Sequence, residues 1–273
     1  MTMHNLPPSD LSYDAALAAL EWLCELGADE AQGDGAVDCY ALPDRLAKPE
    51  VVQAAPVMAE KPAAPVRVQA VPQVDHVGLA AQAAGQARSL ADLHEALDAF
   101  ETCELRKGAR CTLRAEGPEN ARVLVIGDAP DREDERAGRP FTGAQGRMLD
   151  RMFGAIGLGR EAPDRNAALF VAPVLPWRPP GQREPEAAEI AMMRPFLMRM
   201  VELVDPDIVV LMGNAACSAG IGKRGIIRLR GQWAEAFGKP AIAMYSPAQL
   251  LRQPEAKRDT WADLLSLRAR LDG

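Results

Sequence analysis

At 273 residues and a formal net charge of −7, the chain has room for one ordinary domain and additional sequence. Its composition is 48% apolar, as in globular proteins, and no run approaches the roughly 18 apolar residues of a membrane span, which predicts no membrane partner. The charge is uneven: residues 1–95 carry 5 Lys+Arg against 14 Asp+Glu, whereas residues 96–273 carry 26 against 24. A net of +2 is far from that of a strongly basic nucleic-acid protein, although 22 of those 26 bases are Arg, whose planar fork suits phosphate.

The opening "MTMHNLPPSDLSYD" lacks the basic and apolar regions of a secretory signal. The five cysteines (Cys24, Cys39, Cys103, Cys111, Cys217) form no C-x-x-C pair, so reduced thiols and a cytoplasmic location are expected. Residues 13–27, "YDAALAALEWLCELG", space Ala, Leu and Trp for one amphipathic helix ended by Gly. Residues 1–45 are therefore expected to be a helical segment. One helix cannot bury its own apolar face, so it must dock on the main domain or on a protein partner. Residues 46–85, rich in Pro, Ala, Val and Gln without a sustained period, read as a disordered linker.

Residues 86–273 read as the main domain. "SLADLHEALDAFETCEL" (89–105) has a Ser N-cap and a helical period. Four short β-rich runs follow: "RVLVIG" (122–127), "ALFVAPV" (168–174), "DIVVLMG" (207–213) and "AIAMYS" (241–246). Helical stretches separate them and a final helix follows. Alternation of apolar strands with helices predicts an α/β fold, a three-layer sandwich around a central, mostly parallel four-stranded sheet. Ligands of such sheets sit beyond the carboxyl ends of the strands, which places the loops after Gly127, Val174, Gly213 and Tyr245 around any site.

Those loops carry a resemblance. "GDAPDREDERAGRPFTG" (127–143) resembles the first motif of the family-four uracil-DNA glycosylases, and the likeness continues in order through "LPWRPPGQREP", "LVDPDIVVLMGNAA", "IIRLRGQW" and "SPAQLLRQP", over roughly residues 96–271. It implies base-excision repair: DNA as partner, a base extruded from the stack into a pocket, and hydrolysis of its N-glycosidic bond. Carried onto this chain, Phe141 matches the ring that stacks on uracil. Gly127, Asp128, Ala129, Pro130 and Asp131 match the loop that approaches the base. Asp128 stands where the family has Glu, and Asp131 where it has Gly, adding an acid at the pocket mouth. Pro247, Leu250, Leu251 and Arg252 match the loop that wedges into DNA, and Arg228 and Arg230 are candidate phosphate contacts. The acids Asp134 and Glu135 are expected to brace the first loop through Arg132, Arg136 or Arg139.

Three departures stand beside these matches. The family's motif His, which donates to uracil O2, is Ser246 here, and no His follows His94. Loss of one such donor costs around 3–4 kcal/mol in the transition state. The Asn that reads the edge of uracil is Pro173. Of four cysteines that hold a four-iron cluster in many relatives, only Cys103 is present; Phe100, Trp177 and Met193 take the other places, which predicts no iron–sulfur cluster and no other cofactor. Asp128 and Ser246 are then the candidate catalytic pair, in an enzyme of weakened or altered hydrolysis. Two alternatives stand: a non-catalytic relative that binds DNA or a partner, and a Mg²⁺-dependent hydrolase using Asp128, Asp131 and Asp134.

Overall fold

Five-residue runs of branched and aromatic side chains, apolar at every position, form strands that are buried on both faces. In the computed structural model, which describes residues 75–273 and, before them, Leu17 alone, these runs lie side by side in one sheet. The chain divides into two units, Met1–Val68 and Gln69–Gly273, and the second carries the sheet. The predicted helix over 13–27 and the linker as far as residue 74 lie outside the described residues.

The strands are β1 (Val123–Gly127), β2 (Leu169–Pro173), β3 (Ile208–Met212), β4 (Trp233–Ala236) and β5 (Lys239–Met244), in the order β2-β1-β3-β5-β4. All pairs are parallel except β4 with β5. The four expected strands are present, and β4 makes a fifth. Its sequence, "WAEA", has little β propensity and only its last residue is buried. Phe237 and Gly238 join it to β5, both at positive φ (53° and 75°), the backbone of a tight two-residue hairpin turn. Trp233 secures the edge, donating its Nε1–H to Ser266 Oγ at 3.0 Å, with the Arg270 guanidinium 4.4 Å from its ring centroid.

Among residues 75–273, ten helices pack on the sheet or at its ends: α1 (His76–Gln86), α2 (Leu90–Ala99), α3 (Glu104–Gly108), α4 (Arg132–Ala137), α5 (Gly143–Gly154), α6 (Ala187–Val204), α7 (Asn214–Ile221), α8 (Ile226–Leu229), α9 (Pro247–Arg252) and α10 (Lys257–Asp272). Helix α1 corrects the reading of 46–85 as linker, because residues 76–85 are helical. Asp75 caps it, accepting from Gly78 N at 2.8 Å. Its buried side chains are Ala80 and Ala84, which allow close approach to α6. Alanine adds little to an apolar period, so the signal was invisible. Arg199 of α6 ties the connection down, with two guanidinium N–H groups on Ala87 O at 3.0 and 2.9 Å. The helix expected over 89–105 begins at its Ser89 cap but breaks at Phe100, whose ring packs edge-on against Phe196, centroids 5.4 Å apart.

The chain leaves β1 towards β2 on one side, while β3 and β5 lie on the other. Loops after β1 and β3 therefore diverge, opening a crevice at the carboxyl ends of the strands. Because α1 buries only small side chains, a carboxylate there has no partner. Ala84→Asp is expected to lower stability by about 2–3 kcal/mol in a urea titration.

Candidate functional site

The loop after β1 is held by its own charges. Asp131 caps α4, accepting from the N–H groups of Glu133 (2.7 Å) and Asp134 (2.9 Å), and also takes the Gln145 amide at 2.7 Å. Asp134 is buried and accepts from both the N–H (2.7 Å) and the Oγ–H (2.8 Å) of Thr142. Glu135 pairs with Arg178 at 2.8 Å, and that hydrogen bond holds its carboxyl below the ordinary range. The expected braces Arg132 and Arg136 are exposed instead, and Arg139 bonds Glu116, with its Nε 3.2 Å away.

Fastened through Thr142, Phe141 adopts a left-handed backbone (φ 53°) that non-glycine residues rarely keep without support. Its ring faces Gly127, where a Cβ would lie 2.1 Å from Phe141 Cζ. Only glycine at the end of β1 admits this ring. Phe141 and Gly127 thus pack on each other, and Pro130 is buried beside them in sequence.

A cavity of about 240 Å³ opens where the segments after β1, β2, β3 and β5 meet, lined among others by Asp128, Ala129, Glu184, Asn214, Ser246, Gln249 and Arg252. Asp128 accepts from Ala215 N at 3.1 Å. It occupies the space left by Gly213, at φ 96°, where a Cβ would come within 1.9 Å of Asp128 Oδ2. Burial raises its carboxyl to about 6, against the opposing pull of the Ala215 amide. Ser246 is buried and caps α9, accepting from Gln249 N at 3.4 Å. That bond uses a lone pair and leaves the hydroxyl proton for a ligand.

The structure therefore joins Asp128, Ala129, Ser246 and Arg252, and separates other candidates from them. Asp131 is a helix cap. Pro173 lines a different gap, about 20 Å³, with Leu97, Met193 and Phe196. Its missing N–H is harmless: Val174 N donates inward to Gly127 O at 2.9 Å, so the amide of residue 173 would face the outer edge of β2. Leu250 is 1% exposed and belongs to the core, which removes it as a wedge; Leu251, at 42%, is open. Pro247 is buried as the first residue of α9. Arg228 is exposed. Arg230 is no phosphate contact: it grips the buried Asp263 with two bonds of 3.1 and 2.6 Å and also reaches Asp259 O at 2.8 Å.

Sequence reasoning missed Asn214 and Gln249. Both sit on the helices that begin just after Gly213 and Tyr245, at strand ends already placed around the site, and that position was the available signal. The three carboxylates of the Mg²⁺ reading are not assembled, since Asp131 and Asp134 serve α4 while Asp128 turns to α7, and no group of three metal-binding side chains occurs among the described residues. Phe100, Cys103, Trp177 and Met193 are all in the buried core. With one thiol among them, these side chains do not fit a four-cysteine cluster.

Replacing Arg230 by Ala leaves Asp263 buried without its partner. Arg230→Ala is expected to lose about 3 kcal/mol or more in denaturant unfolding, whereas Arg252→Ala stays within about 0.5 kcal/mol of the parent.

Comparison with known proteins agrees with this architecture. The family model of the uracil DNA glycosylase superfamily matches residues 115–265. A type-4 uracil-DNA glycosylase of Archaeoglobus fulgidus is 30% identical over 184 residues, 64% of this chain and 89% of the relative. The type-4 uracil-DNA glycosylase of Thermotoga maritima is 31% identical over 153 residues, 55% of this chain and 77% of the relative. A DNA polymerase of Bacillus phage SP01 is 24% identical over 161 residues, which are 59% of this chain but 17% of that protein. The family model spans more than half of the chain, and the chain belongs to the uracil DNA glycosylase superfamily.

Proposed function

We propose that this chain is a repair protein that binds DNA, receives an extruded base, and hydrolyses its N-glycosidic bond slowly. The observation that carries the reading is the content of the cavity: the Asp128 carboxylate and the Ser246 hydroxyl line it from the ends of two different strands, without an imidazole, while the other carboxylate in its wall, Glu184, is paired with Arg224. Cleavage places negative charge on the departing base, and donors aimed at its oxygen lower the barrier. The Ser246 hydroxyl donates one such bond but carries no positive charge. Asp128, when ionised, orients or deprotonates the water that adds to the sugar. The reaction uses no metal and no cluster. Exposed Leu251, Arg228 and Arg252 supply contacts to the DNA.

The second reading, a binding protein without turnover, is favoured by one observation: the Asp128 carboxylate is already engaged by the Ala215 amide. The two separate in a uracil-release assay on single- and double-stranded oligonucleotides. The proposal expects slow release by the parent chain, a gain of roughly 10²–10³ in Ser246→His, and no release in Asp128→Asn. Pro173→Asn alone is expected to leave the parent rate unchanged, because residue 173 lines the other gap. A parent rate that Ser246→His leaves unchanged would sink the weakened-enzyme reading, and silence from every variant would establish the binding one.

The Asp128 carboxyl gives a pH signature. Its folded value of about 6 lies above its ordinary 3.8, so ionisation opposes folding. The stability it contributes is complete below 3.8 and is lost as pH rises through about 6. Asp128→Asn is expected to raise the unfolding temperature by roughly 3–6 °C at pH 7 and to leave it unchanged at pH 3.5, by calorimetry. Turnover by the parent chain should rise across pH 6 as the base ionises.

A further inference from the structure

Among the exposed large apolar side chains of the described residues, Ile227 is the most open, at 74%. Its neighbour Ile226 is 5% exposed and lines the Asp128 cavity, so α8 sets one isoleucine in the cavity wall and the next outside it. This presentation is built by specific contacts. The Asn214 Oδ1 accepts from both Gly225 N (3.0 Å) and Ile226 N (2.9 Å), clamping the first turn. Gly225 enters it at φ 106°, where a side chain would be strained. At the other end, Gln232 donates its amide to Arg228 O at 2.8 Å.

Lone exposed aliphatic residues are ordinary on protein surfaces. Ile227 is not alone. Leu251, 42% exposed, precedes Arg252, which lines the same cavity from α9, so each of the two apolar side chains is next in sequence to a residue of the cavity wall, on separate elements. Three exposed cations, Lys223, Arg228 and Arg252, accompany them without a carboxylate partner among the described residues; Arg224 nearby is already paired with Glu184, 2.5 Å away. Two aliphatic projections among uncompensated cations match a polyanion whose interior is apolar.

We propose that Ile227 is a second apolar prong, which together with Leu251 enters the base stack of duplex DNA beside the extruded nucleotide, while Lys223, Arg228 and Arg252 hold the flanking phosphates. The inference rests on the DNA-binding reading given above. Opening a duplex step leaves two apolar vacancies, one where the base has left and one over its orphaned partner, whereas a single strand leaves only the first. Inserted aliphatic side chains fill such vacancies, and bases with positive charge fix the register on the backbone.

The test uses the full chain, with Ile227→Ala and Leu251→Ala, on a uracil-containing duplex and on the same strand unpaired. Affinity is read by fluorescence anisotropy, and unstacking by 2-aminopurine opposite the neighbouring step. Ile227→Ala is expected to weaken duplex binding about tenfold, to lower the 2-aminopurine rise, and to leave single-strand binding within about twofold. Because Ile227 is exposed, the unfolding temperature should not move, which separates lost contact from lost fold. Equal duplex affinity for parent and Ile227→Ala overturns the prong, as does an equal loss on both forms of DNA. Weakening by Leu251→Ala alone would overturn the Ile227 prong and leave the DNA-binding reading standing. A parent chain that binds neither form overturns that reading itself, and the prong with it.

Discussion

The cavity is organised by one steric constraint: the Asp128 carboxylate occupies space that any side chain at position 213 would fill. Residue 128 follows β1 and residue 213 follows β3, strands that are neighbours in the sheet. At that junction the chain turns to opposite sides, so the loops part and a crevice is left between them. Glycine at 213 lets the carboxylate sink into the crevice and reach the Ala215 amide. The same depth removes water from the acid and lifts its ionisation to about 6. Position, partner and proton affinity thus share a single cause.

A second fastening works on the neighbouring loop. Six consecutive charges, Asp131 to Arg136, look like a solvated run, yet they fold into a short helix whose acids point to specific donors. Asp131 closes the first turn, Glu135 takes Arg178, and Asp134 holds Thr142. Thr142 is the residue after Phe141, so this last bond holds the strained backbone that sets the aromatic ring on Gly127. Charge here buys conformation at an aromatic residue and has little to do with the net potential of the surface.

Much of the fold was legible in the sequence because β1, β2, β3 and β5 announce themselves by continuous burial. The elements that escaped have weak local signals. β4 is an Ala- and Glu-containing edge made by a turn and by the Trp233 contacts, and α1 buries alanines whose small size is the point of the packing. At the site, the loops were identified but several side-chain roles were not. Leu250 and Leu251 are adjacent in sequence, and only the geometry of α9 decides which one is core. Arg228 and Arg230 look alike in "RLRG", but Asp263, more than thirty residues away, claims the second and leaves the first exposed. Such assignments depend on tertiary partners that no local pattern encodes.

The substitutions at 246 and 173 are compatible with the fold for different reasons. Serine is a good helix cap, so at 246 it secures α9 through Gln249 while its proton stays available. Proline at 173 sits on the edge strand, with its missing N–H directed outward and its ring against Met193 and Phe196. Neither change disturbs the crevice, the Phe141 loop or the exposed side chains of α8 and α9. Scaffold and side-chain identity are thus separable at these two positions: the crevice is shaped by backbone turns and by Gly213, and serine at 246 and proline at 173 both fit it. Both substitutions leave in place the turn at Gly213 that admits the Asp128 carboxylate and the Thr142 bond that holds the Phe141 backbone, so the shape of the crevice does not require the residue types they replace.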